Sequence, residues 1–216
     1  ETGISEFIGT GPFQFVEWKQ DTYVHLRKYD NYNSLAEDPS GLVGRKEVFV
    51  EDLYYIIVPD AATKLTGLQT GEYDVADRLE FSYFDQVVNN DQFVSYVDND
   101  NGTLNIFFNK KQGIMTNKKM RQAVNAIVNA DSVLLASYEY EELYVKSPSY
   151  MSVNNKNWFT EAGKESYNQV NPEKAKQLLE EAGYKGETIR ILSTRDYDFH
   201  YNTAIIVKEE LDKIGV

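Results

Sequence analysis

An α/β fold is what the sequence predicts, on three observations. Short runs rich in β-branched and aromatic residues recur along it, stretches with apolar residues at helical spacing lie between them, and Gly, Pro and Asn mark the boundaries. Strands alternating with helices read as helices packed on sheets. The chain has 216 residues, 42% hydrophobic and 26% charged, a length and balance that can bury a substantial core and that fit neither a disordered nor a fibrous polypeptide.

The elements justify that class one by one. Gly9-Thr10-Gly11-Pro12 is a turn, after which Phe13 to Trp18 alternate as a strand; Lys19-Gln20-Asp21 then turn the chain into a second strand, Tyr23 to Arg27, which makes a hairpin. Asp30 to Gly44 is a polar loop broken by Pro39-Ser40-Gly41. Leu53 to Val58 alternates too little for a half-exposed strand and reads as a buried central one. Asp60 caps the helix that carries Ala61, Leu65 and Leu68, Gly71 ends it, and Tyr73-Asp74-Val75-Ala76 is a short strand. That is a β-α-β unit, which implies parallel strands.

Phe81 to Asn90 predicts a second helix and Phe93 to Val97 a strand, followed by the turn Asp98 to Gly102 and a strand from Thr103 to Asn109. Asn117 caps a long helix with Met120, Val124, Ile127 and Val128 in one stripe, interrupted or re-capped at Asn129-Ala130-Asp131-Ser132. Residues 139–171 show little regular pattern. Asn171 then caps a helix with Pro172 at its first position, Ala175, Leu178, Leu179 and Ala182 on one face, and Gly183 as its stop. A strand from Thr188 to Leu192 and a helix carrying Ala204, Val207, Leu211 and Ile214 complete the pattern. The sequence stops at Val216, where the next strand is expected, as an interior piece of a larger protein would.

Composition excludes several classes of function. The absence of cysteine rules out disulfides, thiolate metal sites and a cysteine nucleophile. With 22 Lys and Arg against 34 Asp and Glu the net charge is −12, and the spread acids read as a solvated surface rather than a nucleic-acid interface. No apolar run is long enough to span a membrane, and Glu1-Thr2-Gly3-Ile4 does not read as an export signal.

Catalytic chemistry finds little support. His25 and His200 lie in different units without zinc spacing, Gly9-Thr10-Gly11 is followed by a strand rather than a phosphate-binding helix, and Glu139, Glu141 and Glu142 read as a solvated helix end. Neither a metal nor a cofactor is called for. Binding has more behind it: ligands of open α/β sheets collect beyond the carboxyl ends of strands. The residues there are Asp77 and Arg78 after Val75-Ala76, and Arg195 and Tyr197 after Leu192-Ser193, ionic groups beside apolar or aromatic ones. On the strand from Thr103, Asn105 and Phe107 share a face, and that face is expected to line a cleft.

Four stretches together resemble the extracytoplasmic family 5 solute-binding proteins, the oligopeptide- and dipeptide-binding components of ABC transporters. They are Ile8-Gly9-Thr10-Gly11-Pro12-Phe13 with Trp18 and Leu26-Arg27; Pro59-Asp60-Ala61 through Leu68-Gln69-Thr70-Gly71-Glu72-Tyr73-Asp74; Phe107-Phe108-Asn109 with Met120-Arg121-Gln122-Ala123-Val124; and Ala175-Lys176 through Ala182-Gly183-Tyr184. The resemblance implies a type II periplasmic-binding-protein fold, two lobes with a mixed sheet in each, of which this chain is an incomplete, internal fragment. Residues 1–105 would be the second segment of lobe 1, residues 106–216 the first part of lobe 2, and 103–109 the hinge. It further implies a non-enzymatic, monomeric receptor that captures a peptide outside the cytoplasmic membrane, in the periplasm or as a Gram-positive surface lipoprotein, and hands it to a membrane permease. Some relatives place tyrosines in the cleft where Asp77 and Asn105 stand, so a shared ligand set does not follow. The alternatives are nickel chelates or oligosaccharides as cargo, or an α/β hydrolase using Glu141 or Asp196.

Overall fold

The computed structural model describes residues 6–98 and 102–216. Contacts divide the chain into two compact units, one ending at Leu79 and the other beginning at Glu80.

The first unit is built on the hairpin. Strands β1 (Phe13–Lys19) and β2 (Tyr23–Lys28) pair antiparallel, with one irregularity at Val16, where the register shifts between Phe15 and Glu17. Strand β3 (Asp52–Ile56) pairs antiparallel with β2, giving the order β1-β2-β3. Leu53 to Val58 therefore forms an edge, not a buried centre: Tyr54 and Tyr55 are 50% and 60% exposed. The apolar run fits that edge because its side chains divide between the two faces. The row Phe15, Leu26 and Leu53 and the row Trp18, Val24 and Tyr55 make one face apolar. The opposite face carries Glu17, Tyr23, His25, Arg27, Asp52 and Tyr54.

That polar face is internally paired. His25, almost wholly buried, donates from Nε2 to Asp52 Oδ1 at 2.7 Å, and Arg27 Nε donates to the same oxygen at 2.9 Å. The Tyr54 ring stacks on His25 at 4.2 Å, and Tyr23 donates its hydroxyl proton to Glu17. The His25 bond first, and the Arg27 bond second, hold the Asp52 carboxyl below the usual carboxylate range.

Helix α1 (Ala61–Thr70) starts and stops as the sequence dictates: Asp60 accepts from Thr63 N at 2.7 Å, and Gly71 turns the chain out at φ 74°. Gly67 is buried because the Tyr73 ring lies directly over it. Residues 73–76 do not become a strand, so the expected parallel β-α-β pairing is not made. Residues 93–97, 103–109 and 188–192 likewise run without a ladder partner among the described residues. Their composition suits strands, but a strand is stabilised only by a neighbour across the backbone bonds. The turn expected at Asp98 to Gly102 lies largely outside the described residues.

The second unit is helical. After a 3-10 turn at Phe81–Tyr83 come α2 (Phe84–Val88), α3 (Lys118–Ile127), α4 (Ala130–Tyr138), α5 (Pro172–Ala182) and α6 (Asp198–Asp212). Asn117 and Asn129 each cap the helix that follows, so the predicted long helix is two helices with a re-cap between them. The long stretch after α4 is irregular apart from 3-10 turns at Glu141–Leu143 and Lys164–Ser166.

The core of this unit is the stripe of α3 against α5 and α6: Met120, Ala123, Val124, Ala126 and Ile127 meet Ala175, Leu178, Leu179, Val207, Leu211 and Ile214. Burying each of the larger side chains contributes about 1.5–3 kcal/mol. Alanines at 123, 126 and 175, with no exposed surface, let the helices approach closely. Polar links fix the register, with Asn117 Nδ2 donating to Ala182 O at 3.1 Å and Asn171 N to Ala126 O at 2.8 Å.

Candidate ligand-binding site

The best-built group of candidate residues sits where the segment after Leu192 turns into α6. Ser193 Oγ donates to His200 O at 2.9 Å and ties the loop to the first helical turn. Thr194 Oγ1 accepts from Asp196 N at 3.1 Å and donates to Asp196 Oδ2 at 2.9 Å, the local pattern by which a threonine closes a turn. Tyr197 then enters the helix in an extended conformation with no side-chain cap.

Arg195 projects from this loop. Its Nη2 donates to the Tyr201 hydroxyl at 3.0 Å, and its guanidinium carbon lies 4.7 Å from the centroid of the Tyr201 ring. Among the described residues it makes no ion pair. Asp196, next to it in sequence, is engaged by Thr194 instead. In a chain of net charge −12 the result is an exposed cation, held by Tyr201, that no carboxylate of the described residues pairs with.

Beside it lies an aromatic group. Tyr197 packs on Phe199 at 5.7 Å and on His200 at 5.9 Å, Phe199 stacks with Tyr138 at 5.9 Å, and Phe81 lies 5.2 Å from Tyr138. A clamp between α4 and α6 brings these rings together. The buried hydroxyls of Ser137 and Thr203 are bonded at 2.8 Å, and Asn202 Nδ2 donates to Ala136 O at 2.9 Å. Thr203 uses its own proton on Phe199 O, so Ser137 is the donor of the pair. Burial pushes the Tyr138 hydroxyl pKa up. A second link joins α2 to the end of α4: Phe84 lies 4.9 Å from Tyr140, whose hydroxyl donates to Asp85 at 3.3 Å. Tyr140 is also raised, by burial first and by the Asp85 charge second.

The remaining expected residues stand apart from this group. Asp77 and Arg78 are exposed on the first unit, their side chains 3.8 Å apart, with Arg78 at φ 54° and Lys64 Nζ donating to Asp77 O at 3.1 Å. Asn105 and Phe107 do share an exposed face, while Leu104 and Phe108 pack against the helical core from the other. Asn105 Nδ2 is occupied by Thr103 O and Oγ1 at 2.9 and 2.7 Å, and Phe107 is 83% exposed. Glu141 is exposed in a 3-10 turn.

Sequence reasoning missed Tyr201, Phe199 and Tyr138. Tyr138 and Phe199 lie 61 positions apart, and no periodicity links them; Tyr201 sits in the first turn of α6, where an aromatic residue reads as packing. His25 with Asp52 was legible only through strand register, which pairs Arg27 with Asp52 and so sets the carboxylate beside His25.

Among solved structures the chain superposes on type II periplasmic binding proteins. One is the Helicobacter pylori periplasmic binding protein DppA in complex with the peptide STSA, with a TM-score of 0.73 and 22% identity over 96% of this chain and 37% of that one. Another is Campylobacter jejuni NikZ in complex with Ni(L-His), with a TM-score of 0.72 and 22% identity over 96% and 41%. These likenesses establish the fold. The family is established by sequence: residues 1–216 match the model of the bacterial extracellular solute-binding proteins, family 5 middle region, and the chain belongs to that family. A relative from Sinorhizobium fredii, named "Probable peptide ABC transporter periplasmic-binding protein y4tO", is 31% identical over 99% of this chain and 41% of its own length. The chain thus spans about two fifths of the length of the relatives it matches. Members of the family are substrate-binding proteins, not enzymes. No helix among the described residues is long and apolar enough to cross a membrane.

Proposed function

We propose that this chain is part of the receptor of an ABC importer that captures peptides outside the cytoplasmic membrane by closing two lobes on them and delivers them to the permease. The observation that carries the reading is Arg195, an exposed guanidinium held by Tyr201, free of carboxylate partners among the described residues and followed two positions on by Tyr197. A fixed, uncompensated arginine suits a planar carboxylate, which it grips with two parallel hydrogen bonds, and a peptide ends in one. The aromatic rings beside it suit apolar side chains.

The closing motion would turn on residues 103–109, with residues 1–105 belonging to one lobe and 106–216 to the other. A ligand shifts an opening equilibrium only through better contacts in the closed state, and Asp77, Arg78, Asn105 and Phe107 would be further contributors to those contacts. The receptor works as a monomer, in the periplasm or as a Gram-positive surface lipoprotein. A second reading, a carboxylate-bearing nickel chelate as cargo, draws on the likeness to NikZ and would use the same arginine.

The test is calorimetric titration of a di- to pentapeptide library, and separately of nickel with L-histidine, into the protein expressed from its whole gene and into this 216-residue chain. Peptides bind the former and not the latter. Binding of peptides by this chain alone, with a Kd of roughly a micromolar or tighter, overturns the two-lobe capture. Binding of nickel-histidine without peptides replaces the cargo with the chelate.

A further inference from the structure

Among the described residues Tyr201 is the one that touches Arg195 in two ways, and each constrains a different freedom. The hydrogen bond from Nη2 to the phenol oxygen at 3.0 Å fixes the direction of the guanidinium, and the ring 4.7 Å away fixes its plane. The ring is itself immobilised, since Tyr201 stands in the first turn of α6, and two residues on Thr203 locks that helix to α4 through Ser137. A phenol is also a neutral partner. An aspartate or glutamate in its place would hold the guanidinium equally well but would neutralise the charge that an incoming anion needs. The nearest acid in sequence, Asp196, is kept out of that role by Thr194, which donates to its carboxylate.

We propose that Tyr201 is a positioning residue that presents Arg195, oriented but uncompensated, to the terminal carboxylate of the ligand, and so makes the receptor select free acids over capped ones. The inference rests on the peptide-capture reading. An arginine side chain left free in solvent samples many rotamers, and ordering it on binding costs part of the affinity; an arginine ordered beforehand avoids that cost. Tyr201 therefore acts on discrimination as well as on strength, because a C-terminal amide gains little from an ordered guanidinium. Nη1 and Nε carry no hydrogen bond among the described residues and Nη2 keeps a second N–H, so one edge of the guanidinium still offers a parallel pair of donors, Nη2 with Nε or Nη2 with Nη1, to the anion.

Two measurements test this on the protein expressed from its whole gene. The first needs no ligand: the order parameter of the Arg195 Nε–H bond from nitrogen relaxation, in wild type, Tyr201→Phe and Tyr201→Leu. It is high in wild type, intermediate in Tyr201→Phe, which keeps the ring, and low in Tyr201→Leu. The second titrates the di- to pentapeptide library as free acids and as C-terminal amides. Tyr201→Phe loses about 3- to 10-fold of the preference for acids and Tyr201→Leu about 10-fold or more, with affinity for the amides unchanged, as expected for a charge-assisted contact weakened rather than removed. Equal loss for acids and amides, or an Arg195 as ordered in Tyr201→Leu as in wild type, overturns the positioning role. An ordered Arg195 in a protein that takes neither acids nor amides keeps the positioning and overturns the peptide reading instead.

Discussion

The clamp between α4 and α6 makes the sharpest demand on the structure. Ser137 is 2% and Thr203 8% exposed, and their hydroxyls bond at 2.8 Å with Ser137 as donor. Ser137→Ala removes that donor but leaves Thr203 still bonded to Phe199 O, so it costs about the net worth of one hydrogen bond, ~0.5–1.5 kcal/mol. Thr203→Val is worse. It strands the Ser137 hydroxyl, buried and without an acceptor, at ~1–3 kcal/mol; Phe199 O keeps its helical partner within α6. Replacing both, Ser137→Ala with Thr203→Val, removes the pair without stranding either side and is close to neutral. The two changes thus couple by about 1.5–4.5 kcal/mol, well above the few tenths expected of independent sites.

Native-state hydrogen exchange of the α4 and α6 amides reads this directly, because it reports opening of the unit rather than of the whole chain. Protection falls about 5- to 150-fold in Thr203→Val and returns to within about tenfold of wild type in the double variant. A double variant as unprotected as the two single losses multiplied together would show that the hydroxyls do not bond, and the placement of Phe199 against Tyr138 would lose its support.

Two further outcomes follow from the first unit. Asp52 is held below the ordinary carboxylate range, by His25 first and Arg27 second, so it binds fewer protons folded than unfolded. Its contribution is fully present above about pH 4 and is lost as the pH falls through the depressed folded value. Asp52→Asn is therefore destabilised relative to wild type at pH 7, with a gap that shrinks in stronger acid; a gap equal at pH 7 and pH 2.5, measured by thermal melts, refutes the pairing. A Cβ added at Gly67 would stand 2.3 Å from the Tyr73 ring, so Gly67→Ala must displace that ring, at a cost of ~1–3 kcal/mol visible as faster exchange in α1. Unchanged exchange would mean that Tyr73 is not seated there.

Legibility in the sequence tracked the locality of the force responsible. Asp60, Asn117, Asn129 and Asn171 cap helices where their position in the pattern says they should, because a cap is a bond between residues two or three apart. The apolar stripe of α3 is buried as its 3.6-residue period requires. Leu53 to Val58 misled because an apolar run shows that side chains will be covered, not which neighbour covers them, and only the ladder reveals that β2 is central. Arg195 and Tyr197 were found from a rule about strand ends, whereas Tyr201 was not. Its role depends on where the Arg195 side chain travels, and no residue spacing encodes a rotamer.

The same distinction separates the candidate residues by how they are held. A helix satisfies its own backbone, so Arg195, Tyr197 and Tyr201 are positioned by bonds within this chain: Ser193 to His200, Thr194 to Asp196, Ser137 to Thr203. Asp77, Asn105 and Phe107, and Arg78 at its left-handed bend, lie on segments that have no ladder partner among the described residues. The neighbouring Val75 and Phe107 itself are more than 80% exposed, and so are Val94 and Leu192 on the comparable segments. Apolar side chains on β-type backbone reach that exposure only where no second strand or layer covers them. Substitutions at the α6 end therefore report on ligand contact directly, whereas those at Asn105 or Asp77 also report on whatever strand pairing sets their segment. A loss of binding in Asn105→Ala assigns a ligand contact only if exchange across residues 103–109 is unchanged.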